Sequence, residues 1–268
     1  MHKVDRPKYY AEIQRLRLID DELMELCFND NIECAELLVR VILGREDLKI
    51  ISAKTQVTLK GVMREVRLDI FAVDDEGRKY NIEFQRKRKG AEPERARLNA
   101  SMIDANSLDK GEDFTELPDV YVIFITEHDV LGGGLPMYTI ERVIAETGKP
   151  FGDRSYIVYV NGRHRDAGTA LGKLVHDIFC ERPEEMNYSA LAERVRYFKE
   201  DEEGVKEMSE VMERLLAKKN HETVKCIAQR LIEGGKLALT EIAACTGLSV
   251  STVRRMAKKL EEAKAAQA

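Results

Sequence analysis

The stretch Arg67–Gln85, RLDIFAVDDEGRKYNIEFQ, constrains the fold more than any other part of the chain. Two runs of alternating apolar and polar residues flank Asp75-Glu76-Gly77, a three-residue loop whose glycine suits a positive φ, and this is the pattern of a β-hairpin. A hairpin symmetric about Glu76 sets Asp74 opposite Arg78, Asp69 opposite Glu83 and Arg67 opposite Gln85. Strict alternation then gives one face Val66, Leu68, Ile70, Ala72, Tyr80, Ile82 and Phe84, which reads as core. The other face carries Arg67, Asp69, Phe71, Val73, Asn81, Glu83 and Gln85.

The Asp69/Glu83 pair is unusual, because carboxylates directly opposite one another on a sheet repel. A divalent cation between them turns that repulsion into attraction, and Mg²⁺ favours one or two carboxylates plus water. A solvated hairpin face, with Arg67 and Lys79 as counter-charges, is the alternative. Phe71 and Val73 on the same face argue for partial cover instead.

The acidic residues and Gln85 follow a D-x(n)-E-x-Q pattern across the hairpin. With the runs RLDIFAVDDEGRKYNIEFQR, RARLNASMIDAN and LPDVYVIFITEHDVLGGGLPMYTIER, residues 15–200 resemble the Rpn-type recombination-promoting nuclease/putative transposase family of the PD-(D/E)XK nuclease superfamily. The resemblance implies a restriction-endonuclease-like core and a metal-dependent DNA endonuclease. Asp69 matches the first acidic position and Glu83 the second, and Gln85 stands where the superfamily usually has Lys. A glutamate on the first core helix often joins the metal site in that superfamily. Glu33 and Glu36 are the candidates here, with helix capping for Glu33 and solvation for Glu36 as the plain alternatives.

The chain in order gives an α/β reading. A helix is expected over 9–28 and a second over 32–43, closed by Gly44, with Asp30-Asn31-Ile32-Glu33 as its capping box. A strand follows at 50–60, then the hairpin, then the basic run Arg86-Lys87-Arg88-Lys89. The helix after Gly90 and Pro93, about 94–108, carries Arg95 and Arg97, which can hold phosphates bidentately or pair with Glu92 and Glu94. The apolar run at 119–126 suits a strand buried on both faces. A helix is expected at about 140–147, a strand at 156–160, and helices over 169–180 and 184–198. Gly132-Gly133-Gly134 lacks the flanking strand, helix and Lys-Ser/Thr of a phosphate-cradling loop, so no nucleotide cofactor is expected. His176 has no neighbouring nucleophile and reads as a packing or capping residue.

Glu200-Asp201-Glu202-Glu203-Gly204 marks an acidic break, followed by a long helix or helix pair to Gly234-Gly235. The segment LALTEIAACTGLSVSTVRRMAKKL has a helix-turn-helix pattern resembling the resolvase type. Thr240 and Ser249 serve as caps, Gly247 as the turn, and Ile242, Leu248, Val253 and Met256 as the miniature core. Ser251, Thr252 and Arg255 are its candidate DNA contacts. The alternative is a helical hairpin used as a homodimer contact.

Charge agrees with this division. The 268 residues carry a net −5, whereas residues 236–268 hold six Lys/Arg against three Glu, a local +3 that leaves −8 elsewhere. Five cysteines without metal-ligand spacing, and no apolar run of membrane-spanning length, point to a cytoplasmic protein with reduced thiols and no membrane partner.

The expected architecture is a restriction-endonuclease-like mixed sheet flanked by helices (1–200), a helical linker (201–235) and an all-α helix-turn-helix tail (236–268). The expected function is hydrolysis of double-stranded DNA with Mg²⁺ or another divalent cation, in recombination or transposition. Asp69 and Glu83, joined by Glu33 or Glu36, would hold the metal, Gln85 would position the attacking water, and Arg86, Lys87, Arg88, Arg95 and Arg97 would bind the backbone. The alternatives are a catalytically inactive DNA-binding or regulatory protein on the same core, and a structural dimerisation protein.

Overall fold

The computed structural model describes residues 9–61 and 64–265. The chain divides into two compact units, Met1–Ser209 and Glu210–Ala268. The first opens with α1 (Tyr10–Gln14), α2 (Asp21–Phe28) and α3 (Ile32–Leu43), followed by strands β1 (Ile50–Lys60), β2 (Glu65–Asp74) and β3 (Lys79–Gln85). Helix α4 (Pro93–Ala105) leads to β4 (Val120–Thr126), β5 (Met137–Ile140) and β6 (Ser155–Asn161). Helices α5 (Ala170–Phe179) and α6 (Ser189–Glu200) follow, and α7 (Glu202–Gly234) runs across the boundary between the units. Helices α8 (Leu239–Thr246) and α9 (Val250–Ala265) complete the second unit.

The sheet has the order β1-β2-β3-β4-β6-β5. β1, β2 and β3 form an antiparallel meander, β4 is parallel to both β3 and β6, and β5 closes the edge antiparallel to β6. It is the mixed sheet the sequence calls for. The β2–β3 register is the expected one: Ile70 pairs with Ile82, Phe71 with Asn81, Ala72 with Tyr80 and Val73 with Lys79. Asp74 organises the loop, its carboxylate accepting from Arg78 N at 2.9 Å, Arg78 Nε at 2.6 Å, Glu76 N at 3.0 Å and the Tyr80 hydroxyl at 2.7 Å. Gly77 takes φ +80°, which any residue bearing a Cβ disfavours.

The two faces are covered differently. Phe84 meets Phe28 of α2 with ring centroids 5.9 Å apart, and Tyr80, Tyr121 and Tyr156 stack in register across β3, β4 and β6. On the opposite face α4 buries Ala96, Ala100 and Ile103 against Val122, Phe124 and Tyr159. Val66 and Leu68 join this second cluster, together with Phe71, instead of sharing the Ile70 face as strict alternation requires. The reason lies at Gln56, which the register (Thr55 with Ile70, Val57 with Leu68) sets opposite Asp69 and whose φ is +54°. A left-handed residue breaks the two-residue period, so both strands exchange faces at this level.

Three helical expectations are corrected. The expected helix over 9–28 is two helices, because Asp20 turns extended at φ −87°, ψ 129° and its carboxylate accepts from Arg17 N at 2.9 Å. The loop they leave is pinned by the buried Lys199 of α6, whose ammonium donates to the carbonyls of Gln14 (3.0 Å), Leu16 and Glu181. Residues 140–147 form no helix; β5 ends there and Val143 bridges Pro150. Helix α6 begins at Ser189, preceded by a 3₁₀ turn at Pro183–Glu185. Asp177 anchors its start, accepting from Asn187 N and Tyr188 N at 2.8 Å each. His176 Nδ1 lies 3.1 Å from the Asp177 carboxylate.

In the second unit Ala228 packs with Ile242, Ala243 and Val253, flanked by Leu231, Leu248 and Met256. Thr240 lies inside α8 and does not cap it. Glu241 instead accepts from Ala238 N at 2.7 Å. Gly247 turns at φ +70°, and Ser249 caps α9 by accepting from Thr252 N at 3.2 Å. No helix among the described residues is long and apolar enough to cross a membrane.

Candidate active site

The hydrogen-bonded ladder between β2 and β3 ends at Ile70/Ile82, although both strands continue. Beyond that point β2 stays with β1 as far as Glu65/Lys60, and β3 stays with β4 as far as Gln85/Thr126. The sheet therefore forks, and Asp69 and Glu83 sit at the fork. The β1–β2 arm leans on α4: Asn106 Nδ2 donates to Lys60 O at 3.3 Å, and a Cβ on Gly61 would meet Met102 at 3.0 Å.

At the fork side chains take over from the backbone ladder. Phe84 N donates to Asp69 Oδ2 at 3.1 Å, and Asp69 N donates to Glu83 Oε1 at 3.3 Å. Asn81 Nδ2 donates to the same Glu83 oxygen at 2.8 Å and Asn99 Nδ2 at 3.4 Å, while Glu83 Oε2 is ion-paired with Arg95. Glu83 is wholly buried and Asp69 almost so. Burial raises both carboxyl pKa values, and the negative charge of Glu83 raises that of Asp69 further. Arg95 and Asn81 work against the shift at Glu83, whereas Asp69 has chiefly the Phe84 N–H. The two acids therefore titrate as a coupled pair, with burial the largest cause at each.

Gln85 lies two residues beyond Glu83. A Cβ on Gly90 would collide with Gln85 Oε1 and crowd Arg95 Nη1 at 3.3 Å, and Gly90 has φ +115°. Glycine is thus required where the chain leaves β3 and passes over the amide. Asp69, Glu83, Gln85 and Arg95 form one neighbourhood.

The other expected site residues lie apart from it or are already engaged. Glu36 accepts from Ile50 N at 2.9 Å and pairs with Arg40 at 2.8 Å. Glu33 is exposed and borders, with Glu36, Arg40, Tyr188 and Ser189, a hollow of about 270 Å³. Asn31, not a Glu33 capping box, caps α3 through Cys34 N at 3.1 Å. The charge of Asp21, at the start of α2, adds a small push to the raised pKa of Asp69. Arg86 is held by Asp20 at 2.8 Å and Glu127 at 3.4 Å. Lys87, Arg88, Lys89 and Arg97 are exposed. On α9, the Ser251 and Thr252 hydroxyls both lie 2.9 Å from Ser249 Oγ, and Arg254 and Arg255 are exposed.

Asn81, Asn99 and Asp21 were not singled out from sequence. The i, i+4 spacing of Arg95 and Asn99 is the signal that a polar stripe of α4 faces the sheet. Asp21 gives no such signal, since it meets Asp69 only through the tertiary fold.

The donor set suits a hard divalent cation: two buried carboxylates, an adjacent amide oxygen and incomplete charge compensation. Among the described residues no cluster of three or more His, Cys, Asp or Glu is arranged to hold a metal.

Residues 45–165 match the family of PD-(D/E)XK nuclease family transposases, and residues 230–267 match the IclR helix-turn-helix domain rather than a resolvase type. No curated protein and no solved structure matches the chain.

Proposed function

Because residues 45–165 match the model of PD-(D/E)XK nuclease family transposases, we propose that the chain is a divalent-cation-dependent DNA endonuclease acting in recombination or transposition. The observation that carries this reading is the buried Asp69/Glu83 pair at the fork of the sheet, beside Gln85. Asp69 and Glu83 would hold Mg²⁺ or another divalent cation. When bound, the cation supplies charge to neutralise the scissile phosphate and to acidify water. Gln85 orients the attacking water through its amide. Asn81 and Asn99 hold Glu83 Oε1, so the carboxylate is oriented before the cation arrives. Lys87, Arg88, Lys89 and Arg97 take backbone phosphates as exposed cations, and Ser251, Thr252 and Arg255 contact duplex DNA from α9.

The test is nicking of supercoiled plasmid by the full chain with Mg²⁺, with and without chelator, against Glu83→Gln. Chelator-sensitive nicking that the variant lacks supports the reading; equal nicking by both proteins sinks it. A catalytically inactive DNA-binding protein is the second reading, favoured by the Arg95–Glu83 ion pair, which occupies one of the two acids with a resident cation. It predicts salt-sensitive duplex binding with no nicking at any cation concentration.

A further inference from the structure

The carboxylate of Glu83 is enclosed by its own chain. Arg95 and Asn99 stand one turn apart on α4, so a single helix stripe delivers a cation to Oε2 and an amide to Oε1. Asn99 also donates to Asn81 Oδ1 at 2.9 Å, which fixes the Asn81 amide with its NH₂ on Glu83. Arg95 is tethered a second time, through Nη1 to Gly90 O at 3.0 Å, and its side chain is 34% exposed against 0% for Glu83. The amides are neutral donors and can keep their oxygen whatever else arrives. A guanidinium on the same carboxylate cannot be neutral towards a second cation, because like charges this close in a partly buried site repel strongly.

We propose that Arg95 is an internal counter-ion that stands in the place of a divalent cation at Glu83 and must leave Oε2 for the cation to bind. The inference rests on the reading of Asp69 and Glu83 as cation ligands. It explains how two buried acids coexist in the cation-free fold. It also makes cation affinity a competition between an ion from solution and a side chain tethered in place, and the Gly90 carbonyl keeps the displaced guanidinium nearby.

Cation binding can be read without any cleavage. The full chain is titrated with Mn²⁺ and free Mn²⁺ is followed by electron paramagnetic resonance, for wild type, Arg95→Met, Arg95→Gln and Glu83→Gln. Both Arg95 variants are expected to bind Mn²⁺ at least about tenfold more tightly, the size expected for removing a like charge at this range, and Glu83→Gln to lose binding. Arg95→Gln keeps a hydrogen bond to Glu83 and so serves if Arg95→Met fails to fold. The wild type gives an independent reading, since saturating Mg²⁺ should move the Arg95 Nη2–H resonances, which belong to the ion pair with Glu83 Oε2, away from their cation-free position. Unchanged or weaker Mn²⁺ binding by the Arg95 variants, or an unmoved resonance, with binding still lost in Glu83→Gln, overturns the counter-ion and leaves the cation site standing. Wild-type affinity in Glu83→Gln overturns the cation site, and the counter-ion with it.

Discussion

Asp69 and Glu83 are each bound to the other's strand: Phe84 N donates to the Asp69 carboxylate at 3.1 Å, and Asp69 N donates to the Glu83 carboxylate at 3.3 Å. The pair replaces the rung that a regular antiparallel ladder would have at this level. A substitution that removes the side-chain oxygen at either position therefore acts on chemistry and on strand pairing together.

Asp69→Asn and Glu83→Gln should each lower cation-dependent cleavage by at least about a hundredfold, since one charged ligand contributes several kcal/mol to a cation-stabilised transition state. The isosteric amides keep an oxygen for Phe84 N or Asp69 N, so circular dichroism should be unchanged. Cleavage at the wild-type rate with a normal spectrum would remove the pair from the mechanism.

The same pair makes the cation-free protein sensitive to pH. Burial, with Glu83 and Asp21 nearby, raises the folded pKa of Asp69, only partly opposed by the Phe84 N–H and Arg95. A carboxyl group with a higher pKa folded than unfolded holds its proton more tightly in the folded state. Its stabilising contribution is therefore complete below the unfolded value, about 3.9, and is lost as pH rises towards the folded value. Asp69→Asn should match wild type near pH 4 and exceed it by about 1 kcal/mol or less above neutrality, on the scale of a cross-strand pair. Urea unfolding across this range with chelator present tests it; a difference that does not grow with pH contradicts it.

Gln85→Leu should reduce single-turnover cleavage by about 10²-fold or more, the range for one positioned group, while Gln85→Lys should retain or raise it. Mn²⁺ affinity measured alongside separates loss of positioning from loss of cation. If Leu at position 85 cleaves as fast as wild type, the water is oriented by another group.

Arg255→Ala should weaken duplex DNA binding and reduce the slope of log affinity against log salt by about 0.9, the value for one lost phosphate contact. Gel shifts over a range of salt measure it. An unchanged slope and affinity would place α9 away from DNA.

Lys199→Met should cost about 3 kcal/mol or more, because the carbonyls of Gln14, Leu16 and Glu181 lose their donor and each unsatisfied buried acceptor costs about 1–3 kcal/mol. Urea unfolding reads the cost directly; a loss under about 1 kcal/mol would mean that water replaces the ammonium.

The hairpin was legible because two-residue periodicity and a glycine-bearing loop are local signals, and they gave the register that brings Asp69 to Glu83. The face exchange was not, because Gln56 adopts its positive φ without any residue type that announces it. The split of the first helix turns on Asp20 bonding back to Arg17 and on Lys199, far along the chain, holding the loop between α1 and α2. Residues 140–147 carry apolar residues at helical spacing, but strand pairing with β6 decides the start of that segment. Sequence offered Glu33 and Glu36 of α3 as further acids; in the fold Glu36 is taken up by Ile50 N and Arg40, contacts between distant segments that no local pattern announces. Arg95 was left between a phosphate contact and an ion pair with Glu92 or Glu94, and the fold pairs it with Glu83.

The forked sheet has a consequence for how this domain can vary. Among the described residues the β1–β2 arm beyond Gln56/Asp69 is hydrogen-bonded within itself and to the end of α4, while β3 beyond Ile82 is bonded to β4. A change in the arm's strand pairing breaks no hydrogen bond of β3–β4–β6, while Val66 and Leu68 keep the arm packed in the cluster of Val122, Phe124 and Tyr159, and the two acids sit at the junction where the branches part. The arm is thus a finger whose backbone ladder is separate from the palm that carries Glu83, the two meeting where each acid bonds to the other's strand.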